Sequence, residues 1–325
     1  MKTISIISAL AAFTVLLAGA GPALSQISLD AGDQALPAAL QDRATVAAAR
    51  LVAGSAYLAE PDASGSLGPP LLLAEWRFDE GGNVLEQASY DRGGALVHRI
   101  AYIYEAGFLV ETFNEGIRGT GAFTTTMRYD GGNRLVSSES VSEAGVPIIR
   151  TTYGYNDRGE MTELVTDTPV KGASRRVSMS YDGEGRITET VVSDAQGAVS
   201  GRTINSYDRD GNLLAQSSYT EEGTPISTTR NRYDSEGRLV RTEVLNTAGE
   251  IVRIMSHGYD HEDRLAESSS STPSAGTSSR TTFEYGSRGL PTRVDTFDKR
   301  GRLASRITYR YDYADKDGSP DPRRE

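Results

Sequence analysis

The sequence predicts an all-β protein: a long antiparallel meander of about ten two-stranded repeats, curled into a spiral or open shell behind a short N-terminal helix. Three observations predict it. An aromatic recurs at Phe78, Tyr104, Tyr129, Tyr155, Tyr181, Tyr207, Tyr233, Tyr259, Tyr285 and Tyr311, in steps of 26 residues with a single step of 25. Most of these aromatics open a Tyr-Asp phrase that runs on to a glycine, as in Tyr233-Asp234-Ser235-Glu236-Gly237-Arg238-Leu239. The composition, 16 Tyr and 34 Gly against 38% apolar residues, favours strands and turns over helices.

Each phrase has the chemistry of a tight hairpin. Asp opens a type I turn, and Gly takes the left-handed position of a G1 bulge. A second turn of the same kind follows half a repeat later, from Asp91 to Gly94, Asp194 to Gly197, Asn246 to Gly249 and Asp298 to Gly301. Every repeat is therefore two strands and two turns. Asp182 should stand opposite Arg186, and Asp234 opposite Arg238, as exposed ion pairs. One step outward, Tyr181 should face Ile187 and Tyr233 face Leu239 on the other side of the sheet, as a buried staple.

The irregular repeats fit the same scheme. After Tyr259 the turn glycine is replaced by Asp263, a residue type that tolerates the left-handed conformation. Thr272-Pro273-Ser274-Ala275-Gly276 lies where a second turn belongs. About 20 strands at about 4.8 Å each would make a ribbon near 95 Å long. Open twisted sheets of that size curl or split, hence the spiral or shell, with a compact sandwich as the second choice.

Ahead of the repeats the chain changes character. Residues 1–25 have the layout of a secretory signal: Lys2, an apolar run from Ile4 to Ala20, and small residues Ala23 and Ser25 before a cut at Gln26. An uncleaved anchor is the rival reading. Residues 26–70 form a helical cap and linker, with Leu36, Ala39, Leu40, Val46, Ala47 and Leu51 at helical spacing between Asp33 and Ala59. Residues 71–314 are the repeat domain. The charged tail, 315–325, is expected to be disordered. With no cysteine, disulfides and thiolate metal sites are excluded. The formal charge is -10, and loss of Lys2 with the signal makes it -11, a surface that repels phosphate backbones.

The Tyr-Asp-x-x-Gly-Arg-Leu phrase, standing here as Tyr181-Asp182-Gly183-Glu184-Gly185-Arg186-Ile187 and as the Tyr233 copy, resembles the YD repeat of rearrangement-hotspot (RHS) proteins, toxin shells and teneurins. The resemblance implies a long sheet spiralling into a hollow case. It also permits carbohydrate binding and cell-surface contact. With a short charged tail standing where the toxic C-terminal cargo of such proteins would be, a cargo-enclosing toxin is not expected.

Candidate sites are sparse. His98, His257 and His261 have no hydrolase-like company, and His257 should pair with Glu267 across its hairpin. Asp208-Arg209-Asp210-Gly211-Asn212 is read as the local turn, while Asp315, Asp317 and Asp321 are a lesser candidate for weak calcium binding. No catalytic set, metal site or cofactor is assigned. Two residues before each repeat aromatic stands a column on the same face: Trp76, Tyr102, Met127, Tyr153, Met179, Asn205, Asn231, His257, Phe283 and Tyr309. It is apolar at both ends and polar in the middle. Asn205, Asn231 and His257 either form a solvated patch where the sheet lacks cover, the plainer reading, or line a wet groove beside Tyr207, Tyr233 and Tyr259, a platform suited to a sugar. Glu86, Glu163, Glu189 and Glu267 are placed on that same face. So many carboxylates favour a shallow curled sheet over a sealed core, and they argue against an outer-membrane barrel.

The expected function is an exported, non-catalytic repeat scaffold, periplasmic or extracellular, that binds a glycan, peptide or protein through its extended sheet. Nucleic acid and stable membrane insertion after signal cleavage are not expected. The alternatives are a polysaccharide hydrolase using a pair of inward Glu residues, and a folding or immunity partner of a toxin.

Overall fold

The computed structural model describes residues 38–115 and 121–314. The signal segment and the candidate carboxylates Asp315, Asp317 and Asp321 lie outside the described residues. Among the described residues, two short helices, α1 (Ala38–Gln41) and α2 (Arg43–Ala49), are followed by twenty strands. Strand β1 is Leu51–Ala59, β2 Leu71–Phe78, β3 Val84–Tyr90 and β4 Leu96–Glu105. Further round, β10 is Ala173–Tyr181, β11 Ile187–Asp194, β12 Val199–Tyr207, β13 Leu213–Tyr219 and β14 Pro225–Tyr233. Then come β15 Leu239–Leu245, β16 Ile251–Tyr259, β17 Leu265–Thr272, β18 Thr277–Tyr285, β19 Pro291–Phe297 and β20 Leu303–Tyr313. Each strand pairs antiparallel with the next.

The sheet is closed, which corrects the expected spiral or open shell. Strand β1 pairs with β2, from Ala53↔Arg77 to Leu58↔Leu71, and also with β20, from Leu51↔Tyr313 to Ala59↔Arg306. The result is a 20-stranded antiparallel barrel without a free edge. The closing strand is drawn from the stretch expected to be helical. The helix instead stops at Ala49, where Arg50 turns left-handed (φ 57°) and donates its N–H to the Ala47 and Val46 carbonyls. Beyond it Gly54, Ala56 and Leu58 are buried at strand spacing, so the period of two wins over the helical one. Asp42 caps the start of α2 by accepting from the Ala44 and Thr45 amides.

The turns form as the sequence dictates. Gly185 and Gly237 have φ of 79° and 78°, and Asp263 takes the same region at 60°. Asp182 N–H donates to the Arg186 carbonyl, while its carboxylate accepts from the Glu184 and Arg186 amides. Tyr181 pairs with Ile187 and Tyr233 with Leu239. Beside each of these pairs the register slips by one residue: Ser180 stands opposite Glu189, which leaves Thr188 as the extra residue of a bulge. The slip reverses the face of whatever follows it.

Two faces result. The face bearing the repeat tyrosines is the enclosed one, with Met127, Thr151, Leu164, Thr166, Val177, Thr229 and Thr242 all buried on it. The opposite face carries Arg128, Arg150, Arg176, Arg202 and Arg280, all exposed, and is the more open one. On the tyrosine face at the closure, Trp76, Phe78, Tyr309, Tyr311 and Tyr313 pack with Leu40, Val46 and Ala49 of the helices into one apolar cluster. Gly54 makes that seam possible: a Cβ there would stand 3.2 Å from Tyr311 Cδ1 and 3.6 Å from Trp76 Cε3.

Candidate functional site

A hydroxyl ladder runs round the tyrosine face. The Tyr207, Tyr233 and Tyr259 hydroxyls donate to the carbonyls of Ile187, Leu213 and Leu239 at 2.7, 3.0 and 2.8 Å, each 20 residues earlier in the chain. Tyr129, Tyr155, Tyr181, Tyr285 and Tyr311 do the same. Tyr104, whose turn is one residue short, leaves its hydroxyl buried without a described partner. Burial raises the pKa of Tyr233, Tyr259 and Tyr285. These phenols are structural donors, one per repeat.

The polar column sits on this ladder. Asn205 Nδ2 donates to the same Ile187 carbonyl at 2.9 Å, and Asn231 Nδ2 to the Leu213 carbonyl at 3.0 Å. Their amide oxygens accept from Gln216 Nε2 at 3.1 Å and Thr242 Oγ1 at 2.8 Å. The structure therefore brings Asn205, Tyr207, Asn231, Tyr233, His257 and Tyr259 onto one face of adjacent strands, but the two asparagines are occupied within the sheet. His257 stands opposite Ser268, and Glu267 faces Gly258, so the expected His257–Glu267 pair does not form. Burial lowers the pKa of His257. Among these residues its imidazole is the group with no described hydrogen bond.

The bulges move the glutamates. Glu86, Glu163, Glu189 and Glu267 stand opposite Arg77, Gly154, Ser180 and Gly258, on the face away from the tyrosines. There they form a regular ladder of ion pairs, Glu86–Arg99 at 3.2 Å, Glu189–Arg202 at 3.3 Å and Glu267–Arg280 at 3.1 Å, with Glu163–Arg176 continuing it. The inward carboxylate pair that the hydrolase alternative requires is not built by these residues. The rim pairs are also less exposed than expected. Arg186 bonds Asp182 at 2.7 Å and lays its guanidinium 4.9 Å from the Tyr207 ring centre, and Arg238 and Arg264 lie likewise over Tyr259 and Tyr285. The Arg186 amide and side chain hold Asp182 below the usual carboxylate range, against the opposing effect of burial.

A residue set that the sequence reading passed over lies on the arginine face of β14 and β15. Arg232 stands directly opposite Arg241, and Arg230 opposite Glu243. The signal was present in the residue before the repeat tyrosine, which is Gly154, Ser180 or Gly258 opposite a Glu, Arg128 opposite Ser137 and Ser206 opposite Ala215, but Arg232 opposite an Arg.

Among the described residues, no group of three or more His, Asp or Glu is placed to hold a metal ion, and no helix is long and apolar enough to cross a membrane. No family model and no curated protein matches the sequence. Among solved structures the chain is similar to the TcdB2-TccC3-TEV assembly, at 12% identity over 80% of this chain and 18% of that one, with a TM-score of 0.28. It is also similar to a porin-like protein from Bacteroides uniformis ATCC 8492, at 14% identity over 79% of this chain and 96% of that one, TM-score 0.35. A porin-like protein from Bacteroides vulgatus ATCC 8482 follows at 11% identity, 79% and 97% coverage and TM-score 0.26. The chain thus spans less than a fifth of the toxin-assembly chain. At these scores the likenesses say nothing about activity, and the closed, repeat-built β-shell is established by the chain's own strand register.

Proposed function

We propose that this protein is an exported, non-catalytic YD-repeat scaffold of the RHS type, closed into a barrel, that binds a glycan or protein partner at one wall of its sheet. The observation that carries this is where the repeat pattern breaks. From β12 to β16 the chain departs from its own consensus on both faces at once, with Asn205, Asn231 and His257 in an otherwise apolar column and, on the other face, Arg232 set against Arg241 where no other described repeat opposes like charges. Positions that break a rule obeyed elsewhere in the molecule are where function is expected to reside. Neither face carries the continuous apolar band of a lipid-embedded barrel, since hydroxyls and amides cross one and ion pairs cross the other. A soluble location in the periplasm or outside the cell is therefore favoured.

Two measurements test the reading. N-terminal sequencing of the exported protein should begin at Gln26, and Met1 on a membrane-bound product would reverse the export assignment. A glycan array and pull-down with the processed chain should return a partner. Its capture should weaken when Asn205, Asn231 and His257 are all changed to Thr in a variant that stays folded, if that face makes the contact. Unaltered capture would move the contact to the arginine face.

A further inference from the structure

The guanidinium cluster on β14 and β15 is the sharpest departure from the molecule's own pattern. Like charges directly opposite one another on adjacent strands repel, with Cβ atoms about 5 Å apart. At the equivalent place in other repeats the opposed residues are Arg77 with Glu86 and Glu284 with Arg293, each joined as an ion pair. Arg232 and Arg241 are the exception among the described pairs at this position. Arg241 Nε donates to Glu243 Oε1 at 2.8 Å. Arg230 and Arg232 are exposed and have no described hydrogen bond or ion pair. On one flank the residue opposite Arg230 is Ala215, where an acid would have answered it, and on the other Arg241 faces Ser256. In a chain of charge -10, this wall holds three cations against the single carboxylate of Glu243.

We infer that Arg230, Arg232 and Arg241 form a binding site for the carboxylate or sulfate of an acidic glycan. The inference rests on the scaffold reading above and names its ligand class. Guanidinium forks match such oxyanions in bidentate fashion, and an anion between Arg232 and Arg241 turns their repulsion into a bridge. The same face offers hydroxyls for the sugar ring: Ser206 is exposed, and Ser217 and Thr228 bond each other at 3.1 Å beside the cluster. A hydroxyl-rich acidic chain suits this surface.

The test uses the processed full chain and the double variant R230Q/R232Q, with polygalacturonate, a sulfated galactan and neutral dextran as probes. The parent should bind one or both acidic polymers in a salt-sensitive manner and not dextran. The variant should lose at least about tenfold in affinity while melting no lower than the parent, since a repulsive pair has been removed. Preference for polygalacturonate or for the galactan assigns the oxyanion. Equal affinity in parent and variant overturns the site. A parent that captures a protein or a neutral glycan but neither acidic polymer overturns this inference and leaves the scaffold reading standing. A parent that captures nothing overturns both.

Discussion

The closure seam and the wall from β12 to β16 use one repeat in two ways. At the seam Trp76, Tyr311 and Tyr313 are 2%, 1% and 1% exposed, and the Tyr309 and Tyr311 rings lie parallel with centres 6.3 Å apart. From β12 to β16 the column that holds Trp76 and Tyr309 at the seam becomes Asn205, Asn231 and His257, and the two asparagines are held by amide and hydroxyl bonds across strands. The difference follows from how each pair of strands meets. Along the wall, a short turn holds every strand to its neighbour. At the seam, Leu51 meets Tyr313, 262 positions further along the chain, and no turn lowers the entropy of that encounter. Apolar burial, which needs no fixed geometry to begin, is placed where closure costs most.

The largest expected effect lies at the seam. Trp76→Ala should cost about 3–5 kcal/mol in thermal or denaturant unfolding, as deletion of a buried large side chain does. A loss below about 1 kcal/mol would mean that the seam is not the packed region. Tyr311→Phe leaves the buried Pro291 carbonyl without its donor and should cost about 1–3 kcal/mol. Tyr233→Phe should cost less than about 1 kcal/mol, because Asn231 still donates to the Leu213 carbonyl. Equal losses in these two variants would erase the distinction between seam and wall. Gly237→Val should cost about 1–2 kcal/mol for a β-branched residue at positive φ. Gly185→Val should cost somewhat more, since its Cβ would also stand 2.9 Å from Glu160 Oε1.

Titration separates the regions more finely. Burial pushes the Tyr309 phenol at the seam up to about 12. An unfolded tyrosine ionises near 10, so the stability tied to the neutral ring is full below about pH 10 and is lost as pH rises towards about 12. The turn carboxylates respond the other way. Asp130 is held low by the Arg134 amide and side chain, and Asp298 by the Arg302 side chain and amide. Their contribution is present above about pH 4, the unfolded value, and is lost as pH falls through the depressed folded values. Trp76, the single tryptophan, reports the seam by fluorescence while circular dichroism reports the strands as a whole. Trp76 emission should therefore shift before the strand signal at alkaline pH. Simultaneous loss at both extremes would refute the separation.

Local chemistry was legible in the sequence and non-local chemistry was not. Asp182, Gly185 and Ile187 specify their turn and its staple within a few residues, and Asp263 could be read as a left-handed substitute for Gly. The bulge at Thr188 left no composition signal, so Glu189 and Glu267 were assigned to the wrong face by one residue, and His257 lost its expected partner with them. Closure depends on Leu51–Ala59, which lacks the Tyr-Asp phrase and whose apolar residues fit a helix as well as a strand. Its role is set by edges contributed from both ends of the repeat array. Of the candidate site, the polar column was found, but the hydrogen bonds that occupy Asn205 and Asn231 come from strands whose register the sequence does not state.

Closure is the central claim, and the absence of cysteine makes it directly measurable. Ser55 and Arg310 are register partners across the β1–β20 seam, and Ser178 and Val191 are partners within the β10–β11 hairpin. Paired strand positions fall within disulfide reach. Under mild oxidation, S55C/R310C should form an intramolecular disulfide as completely as the hairpin control S178C/V191C, with faster migration on a non-reducing gel. If the hairpin control closes while S55C/R310C stays reduced or links only between molecules, the sheet is open at that edge and the barrel is wrong.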